Sequence, residues 1–101
     1  MAIWLDEVQA RNRDLWAQTA AGIEKLRDRQ NHRSPLSIPL GNGLFELRTR
    51  SRSDIGRVLY FFLRGRRIVL LHGFIKKTQR TPPSELELAR QRMRDYLERY
   101  V

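Results

Sequence analysis

A chain of 101 residues fits one domain, 1–101, with a thin core, since a domain of this size buries only somewhat more than ~60% of its unfolded surface. The absence of cysteine excludes disulfides, thiolate metal sites and cysteine nucleophiles together, and leaves stability to packing alone. The net charge of +9 is unevenly spread: residues 48–80 carry ten Lys/Arg against the single acid Asp54, so the excess sits in one segment and points to a polyanionic partner.

The start of the chain runs from Met1 straight into Asp6 and Glu7, without the basic and apolar regions of a signal peptide. No stretch approaches the ~20 apolar residues of a membrane helix, so the expectation is a soluble, cytoplasmic protein that engages no membrane. Between residues 6 and 29 there is no proline, and Leu15, Thr19, Ile23 and Leu26 recur at helical spacing, which predicts one bent helix or two short ones. Residues 30–43 collect Pro35, Pro39, Gly41 and Gly43 and read as a connector, with Gly41-Asn42-Gly43 turning into the following strand. The segment 44–50 alternates as a half-buried strand does. Two apolar runs, 58–63 and 68–74, predict a hairpin around Arg64-Gly65. Thr81-Pro82-Pro83-Ser84-Glu85 then opens a helix with Thr81 or Ser84 as N-cap, and Ser84 with Glu87 has capping-box spacing. Its apolar stripe is Leu86, Ala89, Met93, Tyr96 or Leu97, and Tyr100. Helices, three strands in a meander and a final helix make an α+β arrangement, with helices expected on one face of the sheet.

If Arg48 pairs with Arg57 and the hairpin loop is Arg64-Gly65, Arg57 falls opposite His72. These three then share one face, while Phe45, Leu47, Val58, Tyr60, Phe62, Val69 and Leu71 share the other. Like charges directly opposite on a sheet repel, so Arg48 beside Arg57 makes sense with an anion between them, and a phosphodiester suits that gap. Lys76 and Lys77, expected just after the last strand, approach the same place. Arg48, Arg57, Lys76 and Lys77 are therefore the candidate catalytic residues, and Arg50, Arg52, His72 and Arg80 the candidate RNA contacts around them. The basic segment offers only Asp54 to a divalent cation, and two histidines forty residues apart without cysteine lack the usual zinc ligands, so no metal or other cofactor is expected. RNA can still be cut without metal, because its own 2′-hydroxyl attacks the phosphate once a base, an acid and a charge stabiliser surround it. A lysine among cations has its neutral form favoured, which suits Lys76 or Lys77 to acid or base work. The same cations would serve a non-catalytic nucleic-acid-binding module, or dock an acidic protein.

GLFELR (43–48), DIGRVLYFF (54–62), RIVLLHGFIKKTQRTP (67–82) and ELELARQRMRDYL (85–97) resemble the phage-derived, HigB-like branch of the RelE/HigB toxins over roughly residues 35–101. The resemblance implies a RelE-like antiparallel or mixed sheet with N-terminal helices and a C-terminal helix packed on it. It also implies a ribosome-dependent mRNA endoribonuclease and a helix-turn-helix antitoxin as partner. By position, Arg48, Arg57, Lys76 and Lys77 fall on the family's basic positions. Two departures stand out. Glu46 sits where some relatives carry a basic residue, and only residues 2–5 could supply the strand that relatives place before the first helix. Tyr96, near the position of a catalytic tyrosine in some relatives, has the spacing of a packing residue.

Overall fold

The computed structural model describes residues 2–28, 36–63, 67–77 and 80–100. Two helices, α1 (Ala2–Arg11) and α2 (Arg13–Lys25), precede strands β1 (Ser37–Gly41), β2 (Leu44–Arg50), β3 (Ile55–Leu63) and β4 (Arg67–Lys76), and α3 (Pro83–Tyr100) closes the chain. The strands form one antiparallel sheet in the order β1-β2-β3-β4. Residues 2–5, the expected source of an extra strand, are the first turn of α1.

Asn12 separates the two N-terminal helices. Its side-chain oxygen accepts from the Leu15 amide at 3.0 Å and so caps α2. Its amide nitrogen donates to Asp54 at 2.7 Å and to the Ser51 and Ser53 hydroxyls, each at 3.2 Å. One side chain thereby starts a helix and ties it to the β2–β3 turn. Leu15, Thr19 and Leu26, from the expected helical stripe, are buried on the sheet, and Thr19 meets Thr49 through a 3.1 Å hydroxyl pair.

The proline-rich stretch, expected to be only a connector, contains an edge strand. Pro39 is tolerated in β1 because an edge strand has a side on which no amide is needed. Gly41, Asn42 and Gly43, at φ 95°, 53° and 84°, make the tight β1–β2 turn, three consecutive positive φ values that glycine and asparagine tolerate.

Helices cover both faces of the sheet, not one. Leu47, Val58 and Tyr60, with Phe45, Phe62, Ile68 and Leu70, pack beneath Trp4, Ile23 and Leu26 of the N-terminal layer. Leu44, Leu59, Phe61, Leu71 and Phe74 pack beneath Leu86, Ala89, Met93, Tyr96 and Leu97 of α3. Tyr96 lies edge-on to Phe61 at 5.8 Å, as its spacing implied. The near-continuous apolar runs of β3 and β4 follow from this double burial.

The β3–β4 register differs from the expected one. Leu63 pairs with Arg67, so three residues, 64–66, separate the strands; those three, with the expected Arg64-Gly65 loop, lie outside the described residues. A bulge at Leu71 then adds one more residue, placing Phe74 opposite Arg57 and His72 opposite Leu59. Two one-residue shifts together preserve the face, so His72 stays on the side of Arg57, one pair further along. Between the shifts the phase is inverted, and Val69 and Leu71 face α3 rather than the N-terminal helices.

A Cβ on Gly73 would overlap the six-membered ring of Trp4, which lies flat against the strand. Gly73→Ala is expected to lower stability by about 1–3 kcal/mol by lifting α1, measured as a lower urea midpoint. Burial pushes the Tyr60 phenol above its ordinary 10.0, opposed by its hydrogen bond with Ser37. The stability gained from the neutral phenol is whole below pH 10 and lost as pH rises through the higher native value. Tyr60→Phe is therefore expected to lose less stability than the parent between pH 8 and about 11, in urea titrations at both ends.

Candidate functional site

On the α3 face, the strand pairings build four rows across β2, β3 and β4. The outermost is Arg50, Ile55 and Lys76; next come Arg48, Arg57 and Phe74; then Glu46, Leu59 and His72; and last Leu44, Phe61 and Val69. The rows grade from cationic to apolar, and α3 packs over the apolar end. Arg48 and Arg50 are exposed at the open end, Lys76 is half-buried, and Arg57 is only 5% exposed.

Arg48 and Arg57 sit directly opposite, as anticipated. Lys76 is the last residue of β4 rather than the first after it, which fixes its side chain on the same face. Lys77 follows, exposed. Arg52 is exposed in the β2–β3 turn, and Arg80 is exposed beside Thr81. The sheet thus gathers Arg48, Arg50, Arg57 and Lys76. Lys77, Arg52 and Arg80 belong to the segments around them.

His72 is engaged by α3. Its Nε2 meets a Glu85 carboxylate oxygen, and Arg92, which donates to the Leu71 carbonyl at 2.9 Å, lies 3.4 Å from Nδ1. An arginine only donates, so Nδ1 is the acceptor and Nε2 carries the hydrogen toward Glu85. The ring stacks on Phe74 with centroids 5.6 Å apart.

The side chain that organises the site is Glu46, which sequence reasoning noted only as a departure. It is 1% exposed, and one carboxylate oxygen lies 2.8 Å from Arg57 Nε. The two side chains form a buried ion pair. Arg57 also donates to its neighbouring Gly56 carbonyl at 2.8 Å. The second Glu46 oxygen accepts from the Thr81 hydroxyl at 2.7 Å. Thr81 therefore serves the sheet rather than capping α3. The helix begins at Pro83, a residue suited to a first turn because it lacks an amide hydrogen, so Ser84 lies inside the helix and the anticipated capping box does not start it. A signal was available: Glu46 shares strand parity with Leu44, Arg48 and Arg50, and an acid on a covered face needs a cation beside it.

Burial draws the Arg57 guanidinium down from arginine's ordinary range; Glu46 opposes this, and Arg48 and Arg50 add to it. The Lys76 ammonium is likewise lowered, by burial first and then by Arg57 and Arg48, against Glu46. The arrangement combines a held guanidinium, an exposed guanidinium directly across from it, and an amine that gives up its proton more readily than an ordinary lysine. Chemically it can grip an anion and accept a proton beside it.

Among the described residues no three His, Asp or Glu side chains converge to hold a metal ion, and no helix is long and apolar enough to cross a membrane. No curated protein matches the sequence. Residues 4–94 match the family model described as phage derived protein Gp49-like (DUF891), a span running from α1 well into α3. That family consists of RelE-like toxins of toxin–antitoxin systems, which implies an antitoxin as partner. With nearly the whole fold inside the match, this chain belongs to the Gp49-like family of phage-derived proteins.

Proposed function

We propose that this protein is the toxin of a type II pair in the HigB-like branch, cutting mRNA on the translating ribosome in the cytoplasm and restrained by a helix-turn-helix antitoxin. The observation that carries the reading is the convergence of Arg48, Arg57 and Lys76 from three adjacent strands onto one open end of the sheet. Three cations offset by one buried carboxylate leave room for a phosphodiester's charge.

In the proposed reaction Lys76, as the neutral amine, takes the proton of the 2′-hydroxyl, and the 2′-oxygen bonds to phosphorus. The bond from phosphorus to the 5′-oxygen breaks, and Lys77, as the ammonium, gives that oxygen its proton. Arg57 and Arg48 stabilise the dianionic phosphorane between these steps. The products are a 2′,3′-cyclic phosphate and a 5′-hydroxyl, and no metal is used. Arg50, Arg52 and Arg80 extend the grip along the RNA as phosphate contacts. His72 supports the RNA-binding surface through α3 rather than from an open position, given its contacts with Glu85 and Arg92.

Primer extension on mRNA after brief expression, with and without translating ribosomes, tests the reading: discrete new 5′ ends are expected only with ribosomes. Their absence, with RNA still bound, would favour a non-catalytic nucleic-acid-binding module. Arg57→Ala and Lys76→Ala are each expected to slow cleavage by about 10²-fold or more, and wild-type rates in both would remove them from the chemistry. Because neutral Lys76 is the reactive form and its pKa is lowered from 10.5, the single-turnover rate should rise from pH 6.5 to 8.5. Lys76→Arg should flatten that rise.

A further inference from the structure

We infer that Thr81 is a positioning residue, fixing the Glu46 carboxylate and through it the Arg57 guanidinium; its catalytic consequence rests on the ribonuclease reading above. A relay of three contacts runs from the start of α3 to the centre of the cationic face. The Thr81 hydroxyl donates to one Glu46 oxygen at 2.7 Å, the other oxygen lies 2.8 Å from Arg57 Nε, and Arg57 donates onward to the Gly56 carbonyl at 2.8 Å.

Each contact matters because little else can replace it. Glu46 is 1% exposed, so its carboxylate has little water to turn to in place of Thr81. The terminal torsion of a glutamate is broad and soft, so the carboxylate plane is set by its partners rather than by its own rotamer. With Thr81 on one oxygen the plane is fixed; without it, the carboxylate can turn and carry the ion pair with it. Besides the Gly56 carbonyl, which takes a single Nη1 donor, Glu46 is the group the Arg57 guanidinium rests on, so its orientation follows the carboxylate. Thr81 is itself well placed to act as a fixed point. It stands two residues before α3, which is tied to the sheet by Glu85 on His72 in its first turn and by Arg92 on the Leu71 carbonyl at mid-helix. The hydroxyl that would ordinarily cap a helix here points into the site.

The test uses the full-length protein and separates the hydroxyl from the bulk of the side chain. Thr81→Val keeps the shape without the donor, Thr81→Ser keeps the donor, and Thr81→Ala serves if the valine variant does not fold. The first readout is the Arg57 Nε–Hε signal in a proton–nitrogen NMR spectrum, assigned by its loss in Arg57→Lys. The second is single-turnover cleavage on programmed ribosomes, alongside the affinity for a short RNA. The Arg57 signal is expected to shift and broaden in Thr81→Val and to return in Thr81→Ser. Cleavage is expected to fall roughly 10- to 100-fold in Thr81→Val, with affinity changed less than about twofold and the rate restored by serine. An unchanged Arg57 signal in the valine or alanine variant overturns the inference whether or not the protein cuts RNA. A shifted signal with an unchanged rate overturns the catalytic role. Failure of the wild-type protein to cut RNA sinks the ribonuclease reading alone, and the Arg57 signal then decides whether Thr81 holds the guanidinium.

Discussion

Glu46 and Arg57 form an ion pair inside a domain that has little interior in which to bury one. Removing two charges from water costs several kcal/mol per ion, and their attraction recovers this only when the remaining polar groups are also served. Here Thr81 serves the second carboxylate oxygen and the Gly56 carbonyl takes one guanidinium donor. Loss of one member alone leaves the other buried without compensation, which costs far more than exchanging both for apolar groups. The pair thus links β2, β3 and the approach to α3, and fixes where the apolar face ends and the cationic face begins.

That boundary explains how a small α+β domain keeps a reactive end without opening its core. The N-terminal helices cover one face of the sheet. On the other face α3 covers the apolar rows and Phe74 at the β4 side of the next, leaving Arg48 and Arg50 exposed and Lys76 half-buried. A basic, exposed sheet end beside a buried carboxylate favours proton transfer and anion binding in adjacent positions. Asp54, the lone acid of the basic segment, is spent elsewhere, holding Asn12 at the helix junction.

Much of this was legible in the residues. The alternation of 44–50, the apolar runs of β3 and β4, and the stripe of α3 follow directly from periodicity, and the Arg48–Arg57 pairing, assumed at the outset, is the one found. Other features depend on information that a local pattern does not carry. Prolines in 30–43 argued against any regular element, yet an edge strand accommodates Pro39 in β1. The continuous hydrophobicity of β3 already implied burial on both faces, whereas the expectation of helices on one face ignored it. Thr81 looked like a cap because a cap and a site ligand use the same hydroxyl, and only the position of Glu46 across the fold distinguishes them. The match to the Gp49-like family supports the toxin assignment; the roles of single residues rest on geometry and chemistry.

The unpaired Leu71 acts as a frame shift inside β4, putting the pairings on its two sides one residue out of step. Deleting Leu71 would put the part of β4 beyond it out of phase, presenting His72, Phe74 and Lys76 to the N-terminal helices and Gly73 to the α3 side of the sheet. A second one-residue change elsewhere in the hairpin would restore the frame. Insertions and deletions in this hairpin are therefore constrained to occur as compensating pairs, and a homologous hairpin differing by a single residue would need its own bulge to keep a lysine at this end of the sheet.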